Sequence, residues 1–377
     1  MGLYVHLPYC PYKCSYCDFP ALRLPPRGGV LEEMAGAVLE EIRRAPGEDV
    51  GRPAGSVFFG GGTPSLFPPR AIEEILAALG RRYALRRGAE VTLECNPGTV
   101  DEAALAGYRR AGVTRLSIGA QTFSAERLRA IGRLHSPDET RQAVRAARRA
   151  GFSDLSLDLL YGLPGERPAD AREDAREALA LEPDHLSAYA LELEPRTLFG
   201  ALERRGELAL PADEEVVAAG EAIFAALRAA GFERYEVSNF ARPGHRSRHN
   251  LLYWHQGEYR GFGPGAHSHI AGRRFWNIAG PGPYVRSVRD RGEALAGEEI
   301  LDPPARQGEW IYLRLRLTEG FSLRSFRLRF GRGLDAAYPG VRQDLLAQGL
   351  LAPVPGRVQA SAGGLWLLHR IAEPFLA

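Results

Sequence analysis

Short apolar segments alternate with longer amphipathic ones along the first half of the chain. The apolar segments are rich in β-branched and aromatic residues, which is typical of strands. They are residues 3–7, 56–60, 91–95, 115–121, 155–162 and 185–193. The segments between them, rich in Ala, Leu, Arg and Glu, predict helices at 30–45, 71–83, 101–112, 138–151 and 170–181. Six strand–helix units before residue 195 predict a parallel sheet, and a partial (β/α)6 barrel suits them better than a closed eight-fold one.

The pattern changes in the second half. Residues 212–230 predict one more amphipathic helix, and a strand-like segment follows it. Gly, Pro, His and aromatic residues then dominate with little helical period, before a shorter mixed segment predicts a small, mostly helical, winged-helix-like domain. We therefore predict an α/β barrel over residues 1–235, a Gly/His/aromatic segment over 236–298 and a C-terminal domain over 299–377.

Composition and charge exclude several classes of protein. The net charge is only +2, which predicts no nucleic-acid partner. No run of about 18 apolar residues is present, so we expect no transmembrane segment, although contact with a membrane surface stays open. The first residues resemble a strand and not a signal peptide, and the chain has only four cysteines, so we expect a cytoplasmic protein.

Three of the four cysteines lie in the segment directly after the first predicted strand. Cys10, Cys14 and Cys17 have the spacing C-x3-C-x2-C. A disulfide would leave one thiol over, and a zinc site could use His6 as a fourth ligand. An iron–sulfur cluster could use three thiolates and leave one iron without a protein ligand. The residues alone favour the cluster over zinc but leave both open; Cys95 is expected to be a small buried residue.

With Tyr16 directly before the last cysteine, this motif resembles the signature of the radical S-adenosylmethionine (radical SAM) superfamily. The resemblance implies that Cys10, Cys14 and Cys17 bind a [4Fe–4S] cluster. It also implies that the amino and carboxylate groups of S-adenosylmethionine chelate the fourth iron, and that reductive cleavage yields a 5′-deoxyadenosyl radical. The expected fold is a radical SAM barrel of the partial TIM type.

Polar or glycine residues also follow the other predicted strands, in GGGTP, LECNPGT, SIGAQTF and LDLLYGLPG. The carboxyl ends of barrel strands commonly form active sites. Together with LYVHLPYC, GRLHS and YEVSNFARPG, these strings resemble the oxygen-independent coproporphyrinogen III oxidase branch of the superfamily. That resemblance implies that the S-adenosylmethionine pocket is lined by Tyr4, Tyr16, Gly61, Gly62, Thr63, Glu94, Gln121, Arg133 and Asp158.

The segment HNLLYW, residues 249–254, is similar to the H-N-x-x-Y-W motif of the heme chaperones within this branch. It implies that the protein binds heme and passes it to acceptor proteins. His249 would then ligate the heme iron, while Tyr253 and Trp254 offer flat apolar surfaces. His255, His267 and His269 are less specific alternatives as the ligand. On the residues alone, His249 is better explained as a hydrogen-bonded structural histidine.

Two features separate the heme chaperones from the oxidases. An oxidase has a long arm before the first strand and a further cysteine two residues after the third thiol. Here nine residues precede Cys10, and Asp18 and Phe19 follow Cys17. We therefore expect heme binding and delivery, with no catalytic residue assigned. The alternatives are oxidative decarboxylation of coproporphyrinogen III and, outside the family, a zinc-stabilised binding protein.

Overall fold

A computed structural model describes residues 1–45, 47 and 49–376 of the chain. Its first half alternates strands and helices. The strands are β1 (Gly2–Leu7), β2 (Tyr9–Cys10), β3 (Leu22–Arg23), β4 (Pro53–Gly61), β5 (Ala84–Cys95), β6 (Arg115–Gln121), β7 (Leu155–Tyr161) and β8 (His185–Ala190). The helices are α1 (Val30–Arg44), α2 (Pro69–Arg82), α3 (Glu102–Ala111), α4 (Ala125–Ala130), α5 (Pro137–Arg149), α6 (Pro168–Leu179), α7 (Leu198–Arg204) and α8 (Asp213–Ala229).

Six of these strands form the parallel sheet of a partial barrel. Their order is β1-β4-β5-β6-β7-β8, and every neighbouring pair is parallel. Side chains on one face of these strands, such as those of Leu93, Leu116 and Leu157, are buried in the main apolar core. Side chains on the other face include polar ones that line the interior of the barrel. Because side chains alternate between the two faces of a strand, the helices cover one face of the sheet and the other face is left for a site. The predicted (β/α)6 fold is confirmed.

Additional strands extend this sheet at both edges. They are β9 (Glu233–Arg234), β10 (Asn239–Ala241), β11 (Tyr259–Phe262), β12 (His267–Ile270), β13 (Arg273–Asn277) and β14 (Leu295–Ile300), with α9 (Arg248–Trp254) and α10 (Pro281–Arg291) between them. β10 and β9 continue antiparallel from β8, across the predicted domain boundary at 235. At the other edge β11 is parallel to β1, and β12, β13 and β14 follow antiparallel.

A buried carboxylate joins the β11–β14 extension to the barrel. Glu41 in α1 accepts hydrogen bonds from the Asn277 amide at 2.6 Å, the Tyr284 hydroxyl at 2.6 Å and the Gly263 N–H at 2.8 Å. Burial raises the pKa of Glu41, and these three donors oppose the shift. Because a buried carboxylate without partners would be costly, the three hydrogen bonds fix β11, β13 and α10 against α1.

The C-terminal region has its own apolar core around Trp310, Phe326 and Ile371. It contains α11 (Pro303–Leu315), β15 (Phe321–Ser322), α12 (Leu323–Phe330), α13 (Leu334–Ala337), α14 (Val341–Ala347), β16 (Arg357–Val358) and α15 (Leu368–Leu376). β15 and β16 pair antiparallel and form the predicted wing. Across the described part of the chain, every helix is too short or too polar to cross a bilayer.

Candidate functional site

The three clustered cysteines lie in a loop that is tied to neighbouring strand ends through its backbone. The Gly62 N–H donates to the Leu7 carbonyl and the Thr63 N–H to the Tyr9 carbonyl, each at 2.8 Å. On the other side, the Ser15 N–H donates to the Ile131 carbonyl at 3.2 Å. The backbone bonds therefore position the loop over the open end of the barrel independently of any disulfide.

Glycine is required where β4 passes beneath this loop. Gly61 has φ of 110°, which is in the region that favours glycine. A Cβ on Gly62 would lie 2.6 Å from the Tyr9 carbonyl oxygen and 2.8 Å from the Pro8 carbonyl carbon. These are backbone atoms, which cannot turn aside as a side chain can. The GGGTP motif therefore allows the cysteine loop to approach the strand end closely.

A cavity of about 490 Å³, here called the first cavity, lies between the cysteine loop and the strand ends. The three thiols are half-buried, free of disulfides and face it together. The predicted S-adenosylmethionine residues that also line it are Tyr16, Gly61, Gly62, Thr63, Glu94, Gln121, Arg133 and Asp158. Tyr4 is the predicted residue that lies elsewhere, since it lines a neighbouring cavity.

Two partly buried carboxylates, Glu94 and Asp158, give the first cavity its electrostatic character. Burial, and then the charge of Asp158, raise the pKa of Glu94 from 4.5 to about 8. One oxygen of Glu94 accepts a hydrogen bond from the Gly61 N–H at 3.2 Å. Burial also raises the pKa of Asp158, whose carboxylate accepts from the Ser117 hydroxyl at 2.9 Å. Because burial disfavours both negative charges, a cationic ligand would restore them.

Two long side chains, Gln121 and Arg133, lie next to Gly119 of β6, the strand between those that carry Glu94 and Asp158. Gln121 has φ of 64°, an uncommon backbone conformation for a residue other than glycine. A Cβ on Gly119 would lie 2.7 Å from the Gln121 side-chain nitrogen and 3.3 Å from a guanidinium nitrogen of Arg133. Arg133 in turn donates to the Tyr16 hydroxyl at 3.3 Å. The glycine therefore leaves room for Gln121 and Arg133 to reach the cavity side by side.

Polar atoms without partners show that the first cavity suits a polar ligand. Thr92 Oγ1, Asn96 Oδ1 and Arg133 Nε are buried, and each lacks a hydrogen-bond partner in the part of the chain that the structure describes. All three residues line the first cavity. Since buried polar groups are nearly always hydrogen-bonded, this wall fits a ligand rich in hydroxyl, amino or carboxylate groups.

The donor set fits an iron–sulfur cluster better than a single zinc ion. Among the described residues, one group of three possible metal ligands has its ligand atoms within 4.8 Å of one another, and it consists of Asp154, Asp184 and His245. The three cysteines do not form such a group, so their sulfur atoms are spread more widely. Thiolates at about 2.3 Å from one zinc ion would lie roughly 3.8 Å apart. Three spread thiols suit the corners of a larger cluster.

His6 does not act as the fourth zinc ligand that the sequence left open. Its Nε2 atom lies 3.2 Å from the Pro20 carbonyl, which can only accept, so Nε2 is the donor. Its Nδ1 atom then accepts from the Tyr4 hydroxyl at 3.0 Å. Burial lowers the pKa of His6 to about 4, so the ring is neutral. Both nitrogens are engaged, and the ring lines the neighbouring cavity and not the one that the thiols line.

That neighbouring cavity, here called the second cavity, measures about 690 Å³. It lies between the inner face of β1, the end of α9 and the β11–β13 extension. Its aromatic and histidine lining consists of Tyr4, His6, Phe19, Tyr253, Trp254, Tyr259, His267, His269 and Trp276. Phe19, Gly61 and Glu94 line both cavities, so the two share a wall.

The HNLLYW segment forms most of α9, and its residues are divided among the core, the first cavity, which Asn250 lines, and the second cavity. Tyr253 and Trp254 line the cavity. His249 is fully buried beneath it, where Nδ1 lies 2.9 Å from the Ser56 hydroxyl and Nε2 lies 2.8 Å from the Tyr253 hydroxyl. Burial lowers the pKa of His249 to about 3. Both ring nitrogens are therefore engaged, which disagrees with the prediction that His249 ligates heme iron.

Sequence reasoning missed several residues of the first cavity. Ser117 and Gly119 precede Gln121 on β6 at steps of two, Thr92 precedes Glu94 on β5, and Ser187 precedes Tyr189 on β8; all of them line the cavity. The usable signal was a small or polar residue at every second position inside an otherwise apolar strand, because those positions face the barrel interior.

Comparison with known proteins agrees with this fold. The profile of the radical SAM superfamily matches residues 4–178, and that of the HemN C-terminal domain matches residues 301–367. The solved structure of the radical SAM enzyme coproporphyrinogen III oxidase (HemN) of Escherichia coli superposes with a TM-score of 0.87 at 22% identity, over 99% of this chain and 89% of that one. The fold and the cysteine-lined site define a protein of the radical SAM superfamily.

Full-length relatives narrow the assignment. The chain is 34% identical to the heme chaperone HemW of Escherichia coli K12, over 100% of this chain and 98% of that one. It is 32% identical to HemW of Bacillus subtilis 168, over 99% of this chain and 98% of that one. It is 37% identical to HemW of Mycobacterium tuberculosis H37Rv, over 100% of this chain and 94% of that one. The chain belongs to the HemW family. Membership of the superfamily implies a [4Fe–4S] cluster and S-adenosylmethionine as cofactors.

Proposed function

We propose that the protein binds heme and delivers it to heme-accepting proteins, and that it carries a [4Fe–4S] cluster and S-adenosylmethionine beside the heme site. The observation that supports this best is the second cavity. At about 690 Å³ it is within the size range of small-molecule sites, and aromatic rings and three histidines line it. A flat, largely apolar macrocycle with a metal centre matches such a lining.

The cofactors belong in the first cavity. Cys10, Cys14 and Cys17 would hold the cluster. The cluster would supply an iron that the amino and carboxylate groups of S-adenosylmethionine can chelate. Glu94 and Asp158 would offset the positive charge of the sulfonium. The remaining contacts that we propose are those of Tyr16, Gly61, Gly62, Thr63, Gln121 and Arg133, which line the same cavity. Tyr4 would contribute from the second cavity, which it lines together with Gly61 and Glu94 of the wall that the two cavities share.

The heme belongs against the exposed side of α9. Tyr253 and Trp254 line the second cavity and offer the flat surfaces expected of the HNLLYW motif. Arg274, also in the lining, supplies positive charge, although Glu299 at 3.1 Å and Glu309 already pair with it. His249 would support this wall from behind through its bond to Tyr253 and would not bind iron.

The shared wall suggests how the two cavities cooperate. Phe19 belongs to the cysteine loop, is 63% exposed, and lines both cavities. Cluster binding would fix the loop that carries Phe19, and so would shape one side of the heme cavity. A cluster used for such positioning would make heme retention depend on the cysteines without any radical reaction.

The free thiols indicate the cellular compartment in which the protein would act. All of the cysteines are free, and a site that needs three thiolates requires conditions in which disulfides do not form. We therefore expect the protein to act in the cytoplasm, on heme acceptors whose identity the chain does not specify.

An anaerobic assay on the full chain tests the function. The protein, reconstituted with iron and sulfide, is titrated with hemin, and the loaded protein is mixed with an apo-heme protein whose spectrum differs. In parallel, coproporphyrinogen III, S-adenosylmethionine and dithionite are supplied, and protoporphyrinogen and 5′-deoxyadenosine are measured. We expect heme binding and transfer without protoporphyrinogen. Formation of protoporphyrinogen would instead establish the oxidase, and a protein that binds zinc and no iron would establish the zinc-stabilised alternative.

A further inference from the structure

Two of the three histidines that line the second cavity, His267 and His269, lie on one strand of the β12–β13 hairpin. The two residues Ala271 and Gly272, with φ of 52° and 77°, form the tight turn between β12 and β13. This turn sets a register in which His269 lies opposite Arg274 and His267 lies opposite Trp276. Ser268 and Ile270, whose side chains lie on the other face of β12, are buried. His267 and His269 therefore face the second cavity together from a rigid hairpin.

One of these two histidines has a fixed tautomer. Nδ1 of His269 lies 3.4 Å from the carbonyl oxygen of Gly257. A carbonyl can only accept, so Nδ1 carries the proton and donates it. Nε2 is then the nitrogen with a free lone pair, in a side chain that lines the second cavity. Histidines that bind metals commonly donate their other ring nitrogen to a backbone carbonyl in this way.

The HNLLYW helix positions that carbonyl. At the end of α9 the Gln256 N–H donates to the Tyr253 carbonyl and the Gly257 N–H to the Leu252 carbonyl, each at 2.8 Å. Gln256 has φ of 50°, so the turn has the geometry of a Schellman motif. A Cβ on Gly257 would lie 2.8 Å from a Leu252 side-chain carbon, which keeps this turn tight. The same helix thus supplies an aromatic wall and orients His269.

The other histidines near the cavity lack this arrangement. His6 and His249 have both ring nitrogens engaged by protein groups. His255 is outside the lining of the second cavity. His267 stacks on Trp276, with ring centroids 5.6 Å apart, and among the described residues its ring nitrogens have no hydrogen-bond partner that would fix the tautomer.

We propose that Nε2 of His269 is the protein ligand to the iron of heme bound in the second cavity, with the Gly257 carbonyl holding the imidazole in the ligating tautomer. This inference rests on the proposed function and names the ligand within it. The Nε2 lone pair forms the coordinate bond to iron, and no proton leaves the ring, because the bound tautomer already carries its proton on Nδ1. Tyr253 and Trp254 contact the macrocycle, and His267 packs beside it without ligating.

The test compares matched variants of the full, cluster-reconstituted chain. Wild type, His269→Ala, His269→Gln and His267→Ala are titrated with hemin, and the ferric heme is followed by absorption and EPR spectroscopy, since an oxidised [4Fe–4S] cluster is EPR-silent. We expect His267→Ala to keep the imidazole-ligated signal of wild type, since this variant loses a packing contact and not the ligand. Both His269 variants should lose the imidazole-ligated signal and bind hemin more than about tenfold more weakly. Added imidazole should restore the wild-type signal in His269→Ala.

The outcomes separate this inference from the proposed function. If wild type binds hemin and both His269 variants keep its spectrum, His269 is not the ligand while heme binding stands. If wild type binds no hemin, the proposed function fails and the inference with it. Iron content and thermal unfolding of each variant show whether it is folded, and His269→Gln, which keeps a polar side chain of similar size, gives a second reading if the Ala variant unfolds.

Discussion

Nε2 of His249 lies 2.8 Å from the hydroxyl of Tyr253, one helical turn later in α9. The same ring contacts the Ser56 hydroxyl of β4 through Nδ1 at 2.9 Å. A buried chain of hydrogen bonds therefore runs from the barrel sheet through His249 to a side chain on the wall of the second cavity. It gives the first residue of the HNLLYW motif a positioning role, because both of its nitrogens are used within the protein.

Replacing His249 tests this role. His249→Ala leaves the buried Ser56 hydroxyl without its partner and opens a void, so we expect a loss of about 1–3 kcal/mol in the free energy of unfolding. Hemin should bind more weakly, but the bound heme should keep its ligation spectrum. Tyr253→Phe, which removes only the hydroxyl, should show a smaller loss. Urea unfolding and hemin titration measure both effects. A His249→Ala protein that lost the imidazole-ligated signal, and regained it with added imidazole, would make His249 the iron ligand.

The cysteines give a prediction that distinguishes a cluster from zinc. Serine in place of Cys10, Cys14 or Cys17 should remove the iron from an anaerobic preparation, which in the unchanged chain should hold about four irons and an equal amount of acid-labile sulfide. Cys95→Ala is the matched control. Cys95 is buried, and burial raises the pKa of its thiol to about 12, so we expect the cluster to stay. Stoichiometric zinc in place of iron would contradict the assignment.

The raised pKa of Glu94 predicts a pH dependence of stability. In the protein without cofactors the folded state keeps a proton on Glu94 up to about pH 8, whereas the unfolded chain loses it near 4.5. The favourable contribution is therefore fully present below pH 4.5 and is lost as the pH rises towards 8. Glu94→Gln cannot ionise, so its stability should exceed that of wild type by a margin that grows over this range. Urea unfolding at several pH values measures the unfolding free energy of both proteins. If that free energy changed with pH equally in wild type and in Glu94→Gln, the prediction would be wrong.

The same carboxylate should control the binding of S-adenosylmethionine. The sulfonium carries a positive charge, so it binds better to the ionised form of Glu94 and releases a proton when it binds near pH 7. We expect affinity to rise between pH 6.5 and about 8 and Glu94→Gln to abolish most of that rise. Glu166→Gln is the matched control, because burial raises the pKa of Glu166 to about 7 but this residue lies outside the first cavity. Calorimetry in buffers of different ionisation enthalpy detects the proton, and equal pH profiles for wild type and Glu94→Gln would refute the role.

The limits of sequence reasoning here have physical causes. β6 was predicted with its true bounds, 115–121, because its buried apolar residues Leu116, Ile118 and Ala120 stand at every second position, as expected of a strand. β12 and β13 were missed, because HSHI and RRFWN are short, and the residues on their cavity-facing side are polar or aromatic. The three cysteines were predicted together from contiguous spacing. The orientation of His269 depends on a carbonyl twelve residues away, which no local pattern reveals.

Gly62 carries the sharpest prediction about the architecture of the first cavity. Gly62→Ala would place a Cβ 2.6 Å from the Tyr9 carbonyl oxygen, so the cysteine loop must move away from β4. Overpacking of this kind costs about 1–3 kcal/mol. We expect that loss in unfolding free energy together with reduced iron retention, because the displaced loop carries the thiols. Gly55→Ala, in β4, the strand that leads to Gly62, is the control: its added Cβ meets nothing within 4 Å, and both properties should match wild type. Equal iron content and equal stability in the two variants would mean that the loop does not depend on close approach at Gly62.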